Sequence, residues 1–91
     1  MKLINVGFSN LVSAERIIAI AAPDSAPLKR LIAEAREEAR AVDCTCGKKN
    51  KSVIITDSDH IILSALSPEV IAARMEGRAD ADSDDTSEAA V

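Results

Sequence analysis

The sequence predicts a small α+β domain with antiparallel strands, one main amphipathic helix and a short C-terminal helix. Three observations carry that reading. Short, dense apolar runs rich in β-branched residues recur at 17–20, 53–55 and 61–63. One longer segment between the first two repeats its apolar residues at helical spacing. Clusters of Gly, Pro, Asn, Asp and Ser punctuate the chain between these segments.

Residues 2–7 alternate weakly and read as a first strand. Gly7, Ser9, Asn10 and Ser13 mark residues 7–13 as a loop. Residues 15–22 contain Ile17, Ile18, Ala19 and Ile20 in sequence. An unbroken run of this kind predicts a strand buried on both faces. Pro23 ends it, because proline brings no N–H to the ladder. Asp24-Ser25-Ala26-Pro27 is a helix start: Asp24 or Ser25 caps free N–H groups, and Pro27 suits the first turn. Leu28, Leu31, Ile32, Ala35, Ala39 and Val42 then form one apolar face, against Lys29, Arg30, Glu34, Glu37, Glu38 and Arg40 on the other.

Residues 42–46 alternate again, with Val42, Cys44 and Cys46 on one face and Asp43 and Thr45 opposite. Gly47-Lys48-Lys49-Asn50 is a turn, and residues 51–56 form a strand around Val53, Ile54 and Ile55. Asp57-Ser58-Asp59 is a second turn, and residues 60–66 form another strand. Short loops between these three runs predict an antiparallel meander. Ser67-Pro68-Glu69 opens the second helix, Val70, Ile71 and Met75 give it an apolar side, and Gly77 ends it. The folded domain is expected over residues 1–77. Residues 78–91, built of Ala, Asp, Ser, Thr and Glu with Arg78 and Val91 at the ends, are expected to be a disordered acidic tail.

Charge and composition narrow the function. The net charge of −4 comes from 11 bases and 15 acids, but the tail holds Asp80, Asp82, Asp84, Asp85 and Glu88 against Arg78 alone, so the body keeps ten of each. The low pI therefore describes the tail. There is no Trp or Tyr and a single Phe, Phe8, which disfavours base stacking on aromatic platforms. No run of ~18 apolar residues is present, so no spanning helix or membrane role is expected. The first residues lack the apolar core of a signal peptide, and two cysteines make no disulfide framework; a cytoplasmic protein is expected. A body this small, with 47% apolar residues over the whole chain, is expected to gain support by self-association.

Four groups of residues could carry chemistry. Asp57, Asp59 and His60 could bind a metal or move protons. A hairpin turn explains them more simply, since Asp and Ser bond local backbone N–H groups and no second His exists. Cys44 and Cys46 are too few and too close for a zinc cage and are expected to pack in the core. No metal site and no cofactor is expected. Lys48, Lys49 and Lys51 put three ammonium groups on a hairpin tip, which suits phosphate or plain solvation at an edge. Arg16 enters the apolar strand beside Glu15 and suits an ion pair, a snorkelling rim residue, or contact with phosphate or guanine.

Three strings also resemble a known family. They are Ile4-Asn5-Val6-Gly7-Phe8-Ser9-Asn10-Leu11-Val12-Ser13, Ala22-Pro23-Asp24-Ser25-Ala26-Pro27-Leu28-Lys29-Arg30, and Val53-Ile54-Ile55-Thr56-Asp57-Ser58-Asp59-His60-Ile61-Ile62-Leu63-Ser64. Together they resemble the RemA family, the YlzA-like extracellular matrix regulators, over about residues 2–75. The resemblance implies a small LytTR-like α+β fold without enzymatic activity. It also implies a transcription regulator that binds double-stranded promoter DNA of matrix and biofilm genes as a ring-shaped homo-oligomer. The family's key arginine falls on Arg16, and its basic pair after the hairpin glycine falls on Lys48 and Lys49, with a further base at Lys51. Members often carry arginine at the two paired positions; lysine is a point charge without the planar fork that reads guanine. A ring repeats each basic tip, so linked weak contacts add up without new chemistry. The alternative is an oligomeric protein-interaction scaffold without DNA binding.

Overall fold

The computed structural model describes residues 2–77. The elements run β1 (Leu3–Asn5), β2 (Leu11–Ser13), a 3-10 turn (Ala14–Arg16), β3 (Ile17–Ala21), α1 (Ala26–Glu37), β4 (Ala41–Cys44), β5 (Ser52–Thr56), β6 (Ile61–Ser64) and α2 (Pro68–Met75). The fold is α+β, as expected. The tail assigned to residues 78–91 lies outside the described residues.

Both helices begin where their caps predict. The Ser25 hydroxyl accepts from the Leu28 N–H at 3.4 Å, and the Ser67 hydroxyl accepts from the Val70 N–H at 3.3 Å. Each satisfies a donor that the first helical turn leaves free. α1 stops sooner than its apolar spacing suggests. Glu38 is its C-cap and Ala39 turns left-handed, with φ 60°. Val42 therefore belongs to β4 and not to the helix.

The sheet order is β3-β5-β6-β4, which corrects the expected meander. β5 and β6 do form an antiparallel hairpin, but β4 pairs with β6 in parallel, with Ala41 opposite Ile61. The reason lies in α1. A helix of 12 residues carries the chain ~18 Å along the sheet, so β4 starts level with β3 and runs the same way. The β5–β6 hairpin slots between them, a split β-α-β arrangement. Its strands take the centre and are the most buried of the sheet. Val53, Ile54, Ile61, Ile62 and Leu63 are all buried.

Two layers cover this sheet. On one face Ile54, Ile62 and Cys44 pack with Ile4, Val6, Leu66 and Ile71 from the β1–β2 hairpin and α2. On the other, Val53, Ile61 and Leu63 pack with Ala35, Leu31 and Ile32 of α1. Alternating residues of β5 and β6 thus feed two separate cores, as the strand period requires. The Ser64 hydroxyl donates to the Val6 carbonyl at 2.7 Å, tying the hairpin layer to the sheet.

Three further expectations are corrected. Residues 11–13 are a strand, not loop, and β2 pairs antiparallel with β1. β3 is an edge strand and is not buried on both faces. A bulge between Ile17 and Ala19 turns Ile18 outward, 68% exposed, and α1 covers the far part of the sheet. Cys44 is buried as expected but Cys46 is exposed, because β4 ends at Cys44 and Cys46 turns left-handed, with φ 55°.

Candidate functional site

The sequence-predicted basic residues sit at opposite ends of β5. Arg16 closes the 3-10 turn that leads into β3, and its carbonyl accepts the Asp57 N–H at 2.9 Å. Asp57 is the first residue after β5. Lys51 is the last residue before β5. A five-residue strand lies between them, so the two ends are separated by roughly 17–20 Å at ~3.4 Å per residue. One copy of the chain therefore brings the three lysines together on one loop and leaves Arg16 apart.

The Arg16 end is built by hydrogen bonds. Arg16 Nε donates to Asp57 Oδ1 at 2.9 Å, with the arginine side chain 61% exposed. The turn that carries Asp57 is satisfied internally. Thr56 Oγ1 and Ser58 Oγ lie 3.0 Å apart, and Ser58 Oγ lies 2.7 Å from His60 Nδ1. The His60 N–H donates to Thr56 Oγ1 at 3.2 Å. Asp59 takes the left-handed conformation the turn needs, with φ 65°. These bonds hold Ser58 and His60 in a folded turn, the simpler of the two readings of this segment. Among the described residues no group of three His, Cys, Asp or Glu side chains could hold a metal ion.

Arg40 is the residue that sequence reasoning missed here. The helical spacing put it on the polar face of α1, but it lies beyond the helix, just before β4. Its Nη1 donates to the Asp59 carbonyl at 2.6 Å and its Nε to Glu38 at 2.7 Å, and its side chain is only 28% exposed. Arg40 thus holds the second turn from the β4 side while Arg16 holds it from the β3 side. The signal was weak, because the acceptor is a backbone carbonyl 19 residues downstream.

The lysine end is built differently. Residues 45–51 are a crossover from edge strand β4 to central strand β5, not the hairpin tip expected from the sequence, because β4 pairs with β6. The loop passes the end of β6, where the Lys51 N–H donates to the Ser64 carbonyl at 2.8 Å. Asp43 sets its opening: Oδ1 accepts from both the Thr45 N–H at 2.9 Å and the Thr45 hydroxyl at 2.6 Å. Those two bonds hold the Asp43 carboxyl below its ordinary range. Burial, aided by the Asp43 charge, pushes the neighbouring Cys44 thiol up, so it stays protonated and unreactive. Cys46 and Gly47 take positive φ and turn the chain back, leaving Lys48, Lys49 and Lys51 exposed.

Apolar surface remains uncovered elsewhere. Leu3 and Leu11 share the outward face of the β1–β2 hairpin. Ile18 lies on edge strand β3, and Val42, 43% exposed, lies on the opposite edge strand β4.

Comparison with known proteins places this geometry. A family model described as RemA-like, extracellular matrix regulatory protein A-like, matches residues 3–75. The chain belongs to the RemA-like family. A relative in Acetivibrio thermocellus is 61% identical over 75 residues, 82% of this chain and 81% of its own. One in Moorella thermoacetica is 58% identical over 78 residues, 86% of each chain. One in Geobacillus thermodenitrificans is 56% identical over 88 residues, 97% of this chain and 95% of its own. All three carry provisional names as regulatory proteins, not enzymes. The RemA-like match spans β1 to the end of α2, so it includes both ends of β5. Among the described residues no helix is long and apolar enough to cross a membrane.

Proposed function

We propose that this RemA-like chain is a cytoplasmic, DNA-binding transcription regulator of extracellular-matrix and biofilm genes. It acts as a ring-shaped homo-oligomer that meets double-stranded promoter DNA through repeated basic edges. The observation that carries this reading is the placement of Arg16 and of Lys48, Lys49 and Lys51 on exposed turns at the two ends of one central strand. Their separation of roughly 17–20 Å along β5 exceeds the ~12 Å width of a major groove. The two ends of one subunit thus suit phosphates on either side of a groove. The kinship to LytTR-type DNA-binding domains implied by the resemblance belongs to the same reading.

The ring follows from unlike edges. Among the described residues β3 and β4 are the two edges of the sheet, they differ in sequence, and each exposes a large apolar residue, Ile18 or Val42. A β3 edge meeting a β4 edge is a heterologous contact, which closes into a ring when the rotation per copy allows. A body with equal numbers of acids and bases binds DNA weakly as a monomer, and repetition supplies the affinity.

A second reading, an oligomeric scaffold without DNA binding, has one observation in its favour: Arg16 is already paired with Asp57. Gel-shift titration on matrix-promoter DNA separates the two. The regulator binds, and loses affinity as salt rises; the scaffold leaves the DNA unshifted at every salt concentration. Light scattering tests the assembly: the parent is expected as one closed oligomer, and Ile18→Asp or Val42→Asp as smaller species.

A further inference from the structure

The pairing of Arg16 with Asp57 has a more specific meaning than neutralisation. We infer that Asp57 is a positioning residue: it holds the Arg16 guanidinium by Nε so that the terminal Nη1/Nη2 fork faces DNA. This inference rests on the DNA-binding reading above.

The comparison between the two arginines of this turn supports it. Arg40 spends Nε on Glu38 and Nη1 on the Asp59 carbonyl, and it is largely buried. Two of its three nitrogens are thus committed to the fold. Arg16 spends only Nε, on a single carboxylate oxygen, and its Nη1 and Nη2 bond no described residue. A guanidinium carries five N–H donors in a rigid plane, so holding Nε narrows the directions open to the other four. Asp57 is itself fixed: its N–H donates to the Arg16 carbonyl at 2.9 Å, so the two residues are joined by backbone and by side chain at once. The Asp57 turn is further braced by Arg40 and by the Thr56–Ser58–His60 bonds. An exposed arginine with four free rotors would lose much of its side-chain entropy on docking; a held one loses less.

The carboxylate also has an electrostatic consequence. A negative charge beside Arg16 weakens attraction to any phosphate, so it lowers non-specific binding. Orientation of the fork helps only where a phosphate or guanine edge lies in its plane. Asp57 therefore exchanges general attraction for selectivity. Its effect appears in the ratio of promoter to random-DNA affinity.

The test is a double-mutant cycle on the full chain, read as that ratio by competition gel shift with promoter and random duplexes. Asp57→Ala is expected to bind random DNA somewhat tighter and promoter DNA more weakly, lowering the ratio on the order of tenfold. Asp57→Asn keeps an acceptor for Nε and is expected to retain the ratio. Arg16→Lys keeps the charge but lacks the fork, and is expected to lose the ratio as Asp57→Ala does. Adding Asp57→Ala to Arg16→Lys is then expected to change it no further, because the two residues act as one unit. Side-chain NMR of the free protein reads the holding itself: the Arg16 Nε–H is expected to exchange slowly in the parent and in Asp57→Asn, and rapidly in Asp57→Ala. If Asp57→Ala tightens promoter and random DNA by the same factor, Asp57 is only a competing charge and the inference fails. It fails equally if Asp57→Ala lowers the ratio as much on the Arg16→Lys background as alone. Failure of the underlying reading looks different: the parent itself then shows no preference for promoter DNA, and the role of Asp57 falls with it.

Discussion

The two ends of β5 present positive charge in opposite ways. At the Asp57 end the exposed Arg16 guanidinium is held by a carboxylate, a backbone bond and a turn that Arg40 braces. At the Lys51 end three ammonium groups sit on an exposed crossover ordered at its start by Asp43 and Thr45 and at its end by the Lys51 N–H bond to the Ser64 carbonyl. One end is suited to directional recognition and the other to attraction without direction. The difference teaches that counting basic residues does not describe this surface. Charge at one end is geometry, and at the other it is field.

The largest expected effect breaks the comparison at its directional end. Arg16→Ala is expected to reduce promoter affinity on the order of a hundredfold, summed over the repeated sites, with oligomer mass unchanged. Gel shift and light scattering on one preparation check both parts. A broken oligomer would make Arg16 an interface residue.

Next comes the lysine end. Lys49→Ala is expected to weaken promoter and random DNA alike, and to flatten the salt dependence by roughly one per bound site. A change in sequence preference instead would show that the crossover reads bases, and the contrast between the ends would dissolve.

A smaller effect concerns what shapes that crossover. Asp43 has its carboxyl held below the ordinary range by the Thr45 bonds. A depressed folded value stabilises the fold above the unfolded value, and the stabilisation fades as pH falls through the folded value. Asp43→Ala is therefore expected to cost about 1 kcal/mol at pH 7, since it leaves the Thr45 donors unpaired, and progressively less below about pH 4. Chemical denaturation at both pH values reads the difference; an equal cost at each would remove the ionised carboxylate from the explanation.

The smallest effect lies outside both ends. Removing residues 78–91 takes away five carboxylates and one base. DNA affinity is expected to stay equal or to rise slightly at low salt, with assembly intact. Loss of assembly would place the domain boundary beyond Gly77.

Much of this architecture was legible because its causes are local. Ser25 and Ser67 cap their helices as their neighbours Pro27 and Pro68 suggest. The Asp57–Asp59 turn follows from turn chemistry that acts within four residues. What was not legible depends on partners far along the chain. β4 alternates like a meander strand, and only α1's crossover puts it beside β6 in parallel. The run from Ile17 to Ile20 reads as a central strand, yet the bulge and the edge position turn Ile18 outward. The four basic residues of the candidate site were visible as exposed cations. Their contrast was not, because Arg16 and Asp57 are 41 residues apart and Arg40 binds a carbonyl.

The central claim is that several copies of one basic edge contact DNA together, and the salt dependence of the parent's promoter affinity tests it most directly. One copy offers four candidate contacts, Arg16, Lys48, Lys49 and Lys51. At roughly 0.9 per phosphate, a single copy gives a log–log slope no steeper than about −4. The ring account requires a clearly steeper slope from one homogeneous complex. A slope of about −4 or shallower would confine the contact to one subunit and contradict the ring, and no salt-sensitive binding at all would contradict the DNA-binding function.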